Sequence, residues 1–153
     1  EYYVPDPAAV TRLLARLEAE RPRTLLVASH VPLLSGAARA AHFGGKDAGH
    51  YAGGAEIVAA LAMRTDRLLL CCGHQHFHHV QRTAGAVQLT TAALIEYPME
   101  ARLLTLEGDR LAYDVLPVAS EIAAASLKTA PWVAGHREDR SGMIDLSLTD
   151  ANR

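Results

Sequence analysis

The sequence has little cysteine and no long apolar run. No stretch approaches the ~20 consecutive apolar residues that cross a bilayer, so we expect no membrane-spanning segment and no membrane partner. The only two cysteines, Cys71 and Cys72, are adjacent, and adjacent residues rarely form a disulfide because their Cβ atoms diverge. A disulfide framework is therefore not expected, and a reducing, cytoplasmic location is the default expectation.

The chain also lacks a large excess of charge of either sign. Its 153 residues carry a formal net charge of −2, and half of them are hydrophobic. A nearly neutral protein has no general electrostatic attraction to a phosphate backbone, so no nucleic-acid partner is expected. The length and composition are typical of one globular domain with a core of ordinary size.

The first half of the sequence alternates helical and strand patterns. Asp6 followed by Pro7 is a typical helix start, a capping side chain and then proline at the first helical position. Apolar residues then recur at helical spacing, and the run Thr24–Ser29 is short, apolar and strand-like. The predicted order is helix 7–20, strand 24–29, a glycine-rich loop or broken helix 32–54, helix 56–63 and strand 67–72. This alternation predicts an α/β layer.

The second half changes to a succession of strands joined by glycine-containing turns, at Gly85 and at Gly108-Asp109. A helix capped by Ser120 is then predicted over 120–128, and the sequence beyond Pro131 is polar and weakly patterned, so partial disorder is expected there. The predicted strands are 77–82, 86–91, 102–106 and 111–116.

Histidine is concentrated directly after the second buried strand. Four of the eight histidines fall between His74 and His79, behind Gly73. Residues i and i+2 of an extended segment point to the same side, so His74 and His76 are expected to converge, with Gly73 allowing a sharp turn. Imidazole is a common metal ligand, although such a cluster is also compatible with a solvated surface strand, especially at the last two histidines.

A fifth histidine occupies the equivalent place on the first buried strand. His30 follows Thr24–Ser29 as His74 follows Arg67–Cys72. Ligands collect at the carboxyl ends of strands in open α/β sheets, so His30, His74 and His76 are predicted to meet at one edge as metal ligands.

These two segments resemble the last two sequence blocks of the calcineurin-like metallophosphoesterases. Ser29-His30-Val31-Pro32 is similar to the block with a lone histidine, and Gly73-His74-Gln75-His76 to the G-H-x-H block. The resemblance implies that residues 1–117 are the C-terminal half of a metallophosphoesterase α/β/β/α sandwich, a mixed sheet flanked by helices. Residues 118–153 would be a closing helix and a polar tail.

The resemblance also implies an activity. The parent enzyme would hydrolyse phosphomonoesters or phosphodiesters by attack of a hydroxide that bridges two divalent metal ions, Mn, Fe or Zn. His30 and His74 would bind one ion and His76 the other.

The first three blocks of that family, D-x-H, G-D-x-x-D and G-N-H, are absent. Since the sequence begins at Glu1 rather than methionine, we expect a fragment whose catalytic residues lie in a missing N-terminal half. The fragment is expected to be nearly inactive alone. It would pair with that half, or self-associate, through an exposed sheet face.

Several weaker candidates remain. His42 and His50 lie in the glycine-rich segment and are candidate substrate-binding residues, with Lys46 meeting phosphate, although a surface loop is the alternative. Cys71 and Cys72 are candidate ligands or core residues. Two other functions stay open. One is a non-catalytic metal-binding module built from His74, His76, His78 and Cys72, and the other is an interaction domain derived from an enzyme fold.

Overall fold

The computed structural model describes residues 2–42, 49–118 and 131–147. Within these ranges the chain forms nine strands, four α-helices and one 3-10 helix. The helices are α1 (Pro7–Glu20), α2 (Ala37–His42), α3 (Gly54–Ala62) and α4 (Arg137–Arg140), with the 3-10 helix at Pro131–Ala134. The strands are β1 (Tyr2–Tyr3), β2 (Thr24–Ser29), β3 (His50–Tyr51), β4 (Arg67–Cys72), β5 (His79–Arg82), β6 (Ala86–Thr90), β7 (Glu100–Glu107), β8 (Arg110–Pro117) and β9 (Gly142–Asp145).

Helix α1 forms where the local signals predict it. The Asp6 carboxylate accepts a hydrogen bond from the Ala8 amide at 2.9 Å, which satisfies one of the free donors at the helix start. The helix ends at Arg21, whose backbone adopts a left-handed conformation with φ 43°. Leu17 is the buried residue of its inner face.

A mixed sheet lies at the centre of the molecule, in the strand order β2-β4-β6-β5. Strand β4 pairs in parallel with both β2 and β6, and β5 returns antiparallel to β6. Strand β4 is covered on both faces, as its nearly continuous apolar sequence predicts. The helix-then-strand order predicted for the first half of the chain is confirmed. The predicted burial of strand 24–29 is wrong, because β2 is the end strand of this sheet and none of its residues is fully buried.

A second sheet is antiparallel, in the order β7-β8-β9. Its hairpin turns at Gly108, whose φ of 57° suits a glycine. A third, two-stranded sheet pairs β1 with β3 in parallel.

Among the described residues the core has two larger parts, one on each face of the mixed sheet, and a smaller third cluster of Ala40, Phe77 and Val133. On one face, α1 and α3 pack through Leu17, Val58 and Leu61 onto Leu68 and Leu70 of β4. On the other face the antiparallel sheet packs against the mixed sheet, with a core of Leu69, Val87, Leu89, Leu111, Tyr113, Ile144 and Leu146. The described residues therefore form a helix–sheet–sheet arrangement, a mixed α/β fold.

The segment after Pro131 is not the weakly patterned tail that its sequence predicts. Strand β9 pairs with β8, and Ile144 and Leu146 are buried between the sheets. The prediction of a polar, partly disordered tail is therefore wrong for residues 131–147. The predicted helix 120–128 lies outside the described residues.

No helix among the described residues is long and apolar enough to span a membrane.

Candidate metal-binding site

Parallel pairing of β2 and β4 brings two histidine-bearing loops together. In the strand register Ser29 lies opposite Cys72, so the residues that follow, His30 and Gly73, emerge at the same sheet edge. The Gly73 amide donates to the His30 carbonyl at 3.1 Å, which extends the ladder by one bond. The expectation that the two loops share an edge is confirmed.

The rings of His30 and His74 are in contact. His74 Nδ1 lies 3.3 Å from His30 Nε2, and the ring centroids are 5.1 Å apart at an interplanar angle of 76°. Tyr3 packs edge-to-face on the other side of His74, with centroids 5.0 Å apart. The β1–β3 pairing delivers Tyr3 to this place, because the Ala52 amide donates to the Tyr3 carbonyl.

His76 has a different partner. Its Nδ1 lies 2.6 Å from Glu96 Oε1, with the two side chains 45% and 56% exposed. Among the residues that the structure describes, no group of three or more His, Cys, Asp or Glu side chains is arranged to hold a metal ion. Of the three predicted ligands, the structure brings His30 and His74 together and gives His76 a carboxylate instead.

The loop between β4 and β5 does not have the extended backbone that its sequence predicts. His74 and His76 both have left-handed φ angles, 62° and 56°. Such a backbone costs of order 1–3 kcal/mol for each non-glycine residue, and strained residues of this kind cluster at functional sites. The role predicted for Gly73 is also wrong, because its φ is not in the left-handed region and a Cβ there would make only ordinary contacts, 3.9 Å or more from its neighbours.

Gln75 holds the loop between the two histidines. Its side chain is buried, and its Nε2 donates to the Gly49 carbonyl at 3.2 Å. A Cβ on Gly36 would collide with the Gln75 amide, so glycine at that position allows the close approach. The sequence analysis does not single out Gln75. Its burial between the two histidines is consistent with a loop of fixed conformation.

His78 is fully buried rather than on a solvated strand, so the surface alternative is wrong for it. Its Nδ1 accepts from Arg102 Nη2 at 3.1 Å, and its Nε2 lies 3.1 Å from Glu100 Oε2. Burial, followed by the charges of Arg102 and Arg140, lowers the pKa of His78 to about 3. Both ring nitrogens of this neutral histidine are therefore occupied.

Two arginines tie His78 to the segment 131–147. Arg140 donates twice to Glu100, at 2.6 and 2.8 Å, and also to the Ala134 carbonyl. Arg102 Nη1 donates to the Asp139 carbonyl at 2.8 Å, and burial lowers the pKa of Arg102 to about 10. These residues form an ionic network that packs against the end of the loop between β4 and β5, which we call the histidine loop (residues 73–78).

Asp139 connects the same segment to the neighbouring elements. Its carboxylate pairs with Arg39 of α2 and accepts the Val80 amide of β5 at 2.9 Å. Burial, followed by the charges of Arg39 and Arg102, lowers the pKa of His79 to about 4.

The remaining sequence candidates are His42, Lys46, His50 and the two cysteines. His42 ends α2, and neither its side chain nor Lys46 is among the described parts of the chain. His50 is half-buried in β3, opposite Tyr2. Cys72 Sγ lies 3.4 Å from Thr90 Oγ1, and burial raises its pKa to about 11. Burial also raises the pKa of Cys71, so both cysteines are held as thiols.

Comparison with known proteins gives no assignment: no family model, curated protein or solved structure matches this chain.

Proposed function

We propose that the chain is the C-terminal portion of a metal-dependent phosphoesterase of the calcineurin-like type. The observation that carries the proposal is the contact between His30 and His74, which follow neighbouring parallel strands as the sequence blocks of that family require. On this proposal the helix–sheet–sheet arrangement is one half of an α/β/β/α sandwich.

The spacing of the two rings fits a shared metal ion. Zinc–nitrogen bonds are about 2.0–2.1 Å, so two nitrogens on one tetrahedral ion lie about 3.3 Å apart. His30 Nε2 and His74 Nδ1 are 3.3 Å apart. Imidazole nitrogen suits Zn, Fe and Mn in mixed nitrogen–oxygen sites. The described residues thus supply two ligands for one ion, and the proposed second ion would use His76 with further ligands.

Divalent ions bound there would supply a hydroxide nucleophile at neutral pH and neutralise charge on a phosphoryl group. The chain's own residues hold and orient this site. Tyr3 covers one side of the His74 ring, and Gln75 fixes the loop that carries both His74 and His76. No described carboxylate bridges the pair, so these 153 residues alone are expected to turn over phosphate esters slowly at best.

An open strand edge supports the proposal of a missing half. Strand β2 is at the end of the mixed sheet, and Leu26 is 55% exposed although it lies in register with buried Leu69. Leu26 is on the same sheet face as Leu69, so this face is apolar and uncovered at β2, and an end strand also presents backbone groups that can pair with a further strand. The missing half, or a second copy of this chain, would cover it.

The proposal is tested by metal-dependent phosphate binding. Wild-type protein, His30→Ala, His74→Ala and the control His136→Asn are titrated with Mn²⁺ in the presence of inorganic phosphate, and ³¹P relaxation is measured. His136 is an exposed helix cap, a role that asparagine also fills.

We expect the wild type and His136→Asn to bind Mn²⁺ and to enhance ³¹P relaxation beyond free Mn²⁺, and both alanine variants to lose this effect. Unchanged Mn²⁺ binding in His30→Ala would instead favour the alternative of a local histidine-rich metal module. Absence of metal binding in the wild type would contradict both.

A further inference from the structure

His76 is in contact with Glu96, a residue that no motif or periodicity in the sequence singles out. Glu96 lies 20 positions after His76, in the connection between β6 and β7. The distance of 2.6 Å between His76 Nδ1 and Glu96 Oε1 is slightly shorter than the ~2.7–2.9 Å of charge-assisted hydrogen bonds between nitrogen and a carboxylate, so the two groups are in direct hydrogen-bond contact. Among the residues that the structure describes, Glu96 is the hydrogen-bond partner of this ring.

The direction of this hydrogen bond determines which ring nitrogen of His76 is available. An ionised carboxylate only accepts hydrogen bonds, so the proton must be on Nδ1. In a neutral imidazole the other nitrogen, Nε2, then carries the lone pair. Carboxylates commonly fix ligand histidines in this way, and their loss typically costs about 10–100-fold in metal affinity or activity.

We propose that Glu96 is a positioning residue that fixes His76 as the Nδ1–H tautomer and presents Nε2 as its ligand or base atom. The use of that atom by a metal ion rests on the proposed phosphoesterase function; the tautomer does not. His74, two residues earlier, directs Nδ1 at His30. In the G-H-x-H segment, His74 would therefore bind a ligand through Nδ1 and His76 through Nε2. The two rings would face different directions although the backbone φ angles of the two residues are nearly equal.

The tautomer is read directly from long-range ¹H–¹⁵N spectra of the metal-free protein. They are recorded at pH about 8, above the ordinary imidazole pKa of about 6.5. A His76→Gln variant assigns the signals. In the wild type we expect a protonated Nδ1 and an unprotonated Nε2 at His76. Glu96→Gln retains an oxygen acceptor and is expected to keep this pattern.

Glu96→Ala is expected to move the proton to Nε2, the preferred position in free histidine. Because the Glu96 side chain is 56% exposed, its removal is not expected to prevent folding. The matched control is Glu107→Ala, an exposed carboxylate at the end of β7, which should leave the spectrum of His76 unchanged. A protonated Nε2 in the wild type, or a tautomer that is unchanged in Glu96→Ala, would overturn the assignment.

Addition of Zn²⁺ to the same samples separates this inference from the proposed function. Ring ¹⁵N shifts at His30 and His74 with a protonated Nε2 at His76 would refute the role of Glu96 alone. The Nδ1–H tautomer with no Zn²⁺ response at His30 or His74 would refute the metal site and leave the role of Glu96 intact.

Discussion

Replacement of Glu100 by alanine should destabilise the protein strongly, because this buried carboxylate is the shared acceptor of the fully buried His78 and of the partly exposed Arg140. Glu100 accepts from Arg140 at 2.6 and 2.8 Å, and it lies 3.1 Å from Nε2 of the fully buried His78. In Glu100→Ala the His78 N–H loses its acceptor, at a cost of about 1–3 kcal/mol. Removal of one partner of a fully buried ion pair costs about 3–5 kcal/mol.

The expected total is below the sum of these figures. The Arg140 side chain is 30% exposed and can turn to water, so the loss of its ion pair with Glu100 should cost less than the loss of a fully buried pair. We therefore expect a loss of about 3 kcal/mol, a large part of the ~5–15 kcal/mol stability of a typical domain. With a urea m-value of about 2 kcal/mol/M, the unfolding midpoint falls by about 1.5 M.

Urea unfolding followed by circular dichroism measures this loss. The control Glu107→Ala removes an exposed carboxylate from the other end of β7 and should change stability by less than about 0.5 kcal/mol. Glu100→Gln keeps an acceptor for His78 and should fall between the two. If Glu100→Ala unfolded at the same urea concentration as Glu107→Ala, the network would not link segment 131–147 to the histidine loop as argued.

Three further predictions concern acidity, thiol reactivity and packing. Burial lowers the pKa of His79 to about 4 in the folded chain, so between pH 6.5 and 4 the unfolded chain binds more protons and stability falls with falling pH. From pH 7 to 5 the unscreened loss would be about 2 kcal/mol, and we expect about half of it, ~1 kcal/mol, because the partly exposed ring is screened by solvent. Thermal unfolding at both pH values should show a smaller loss in His79→Gln, and an identical loss would count against the shift. The Cys71→Ser variant leaves Cys72 as the single thiol, and burial raises the pKa of that thiol to about 11 in the folded protein. At pH 8 the folded variant should therefore react with Ellman's reagent about two orders of magnitude more slowly than the same variant unfolded in urea. Equal rates in the two states would contradict the burial of Cys72. Gly54→Ala should lower the free energy of unfolding by more than about 2 kcal/mol, because a Cβ at this position would collide with the Leu33 carbonyl. Gly108→Ala would meet nothing within 4 Å and should lose only the free energy of its strained φ. Chemical denaturation of both variants measures the two losses, and a larger loss in Gly108→Ala would refute this prediction.

Local signals predict the elements that bring the histidine pair together. Asp6-Pro7 specifies the start of α1, and the apolar runs predict the two strands β2 and β4, which pair in parallel. Strand β4 is buried, whereas β2 lies half-exposed at the end of the sheet. Once those strands are neighbours, the contact of His30 with His74 follows from the rule that the carboxyl ends of parallel strands share an edge.

The direction of His76 could not be predicted in the same way. Its left-handed φ of 56° has no sequence signature in a non-glycine residue, and it breaks the i, i+2 alternation from which convergence was expected. Its partner Glu96 comes from a loop, where no periodicity marks a contact.

The buried state of His78 depends on residues far along the chain. Its partners Glu100 and Arg102 follow by more than 20 positions, and Arg140 by about three times as many. The sequence signal for the last strand is one short apolar–polar alternation, Ile144-Asp145-Leu146. A single alternation within a polar segment does not predict a strand unless the pairing with β8 is already known.

The metal site at the paired histidines is tested most directly by crystals of the protein soaked in Zn²⁺ and measured at the zinc absorption edge. We expect an anomalous peak bonded to both His30 Nε2 and His74 Nδ1, at about 2.0–2.1 Å from each. Crystals in which these rings remain directly hydrogen-bonded, with no anomalous peak or with zinc bound only elsewhere, would contradict the proposed site.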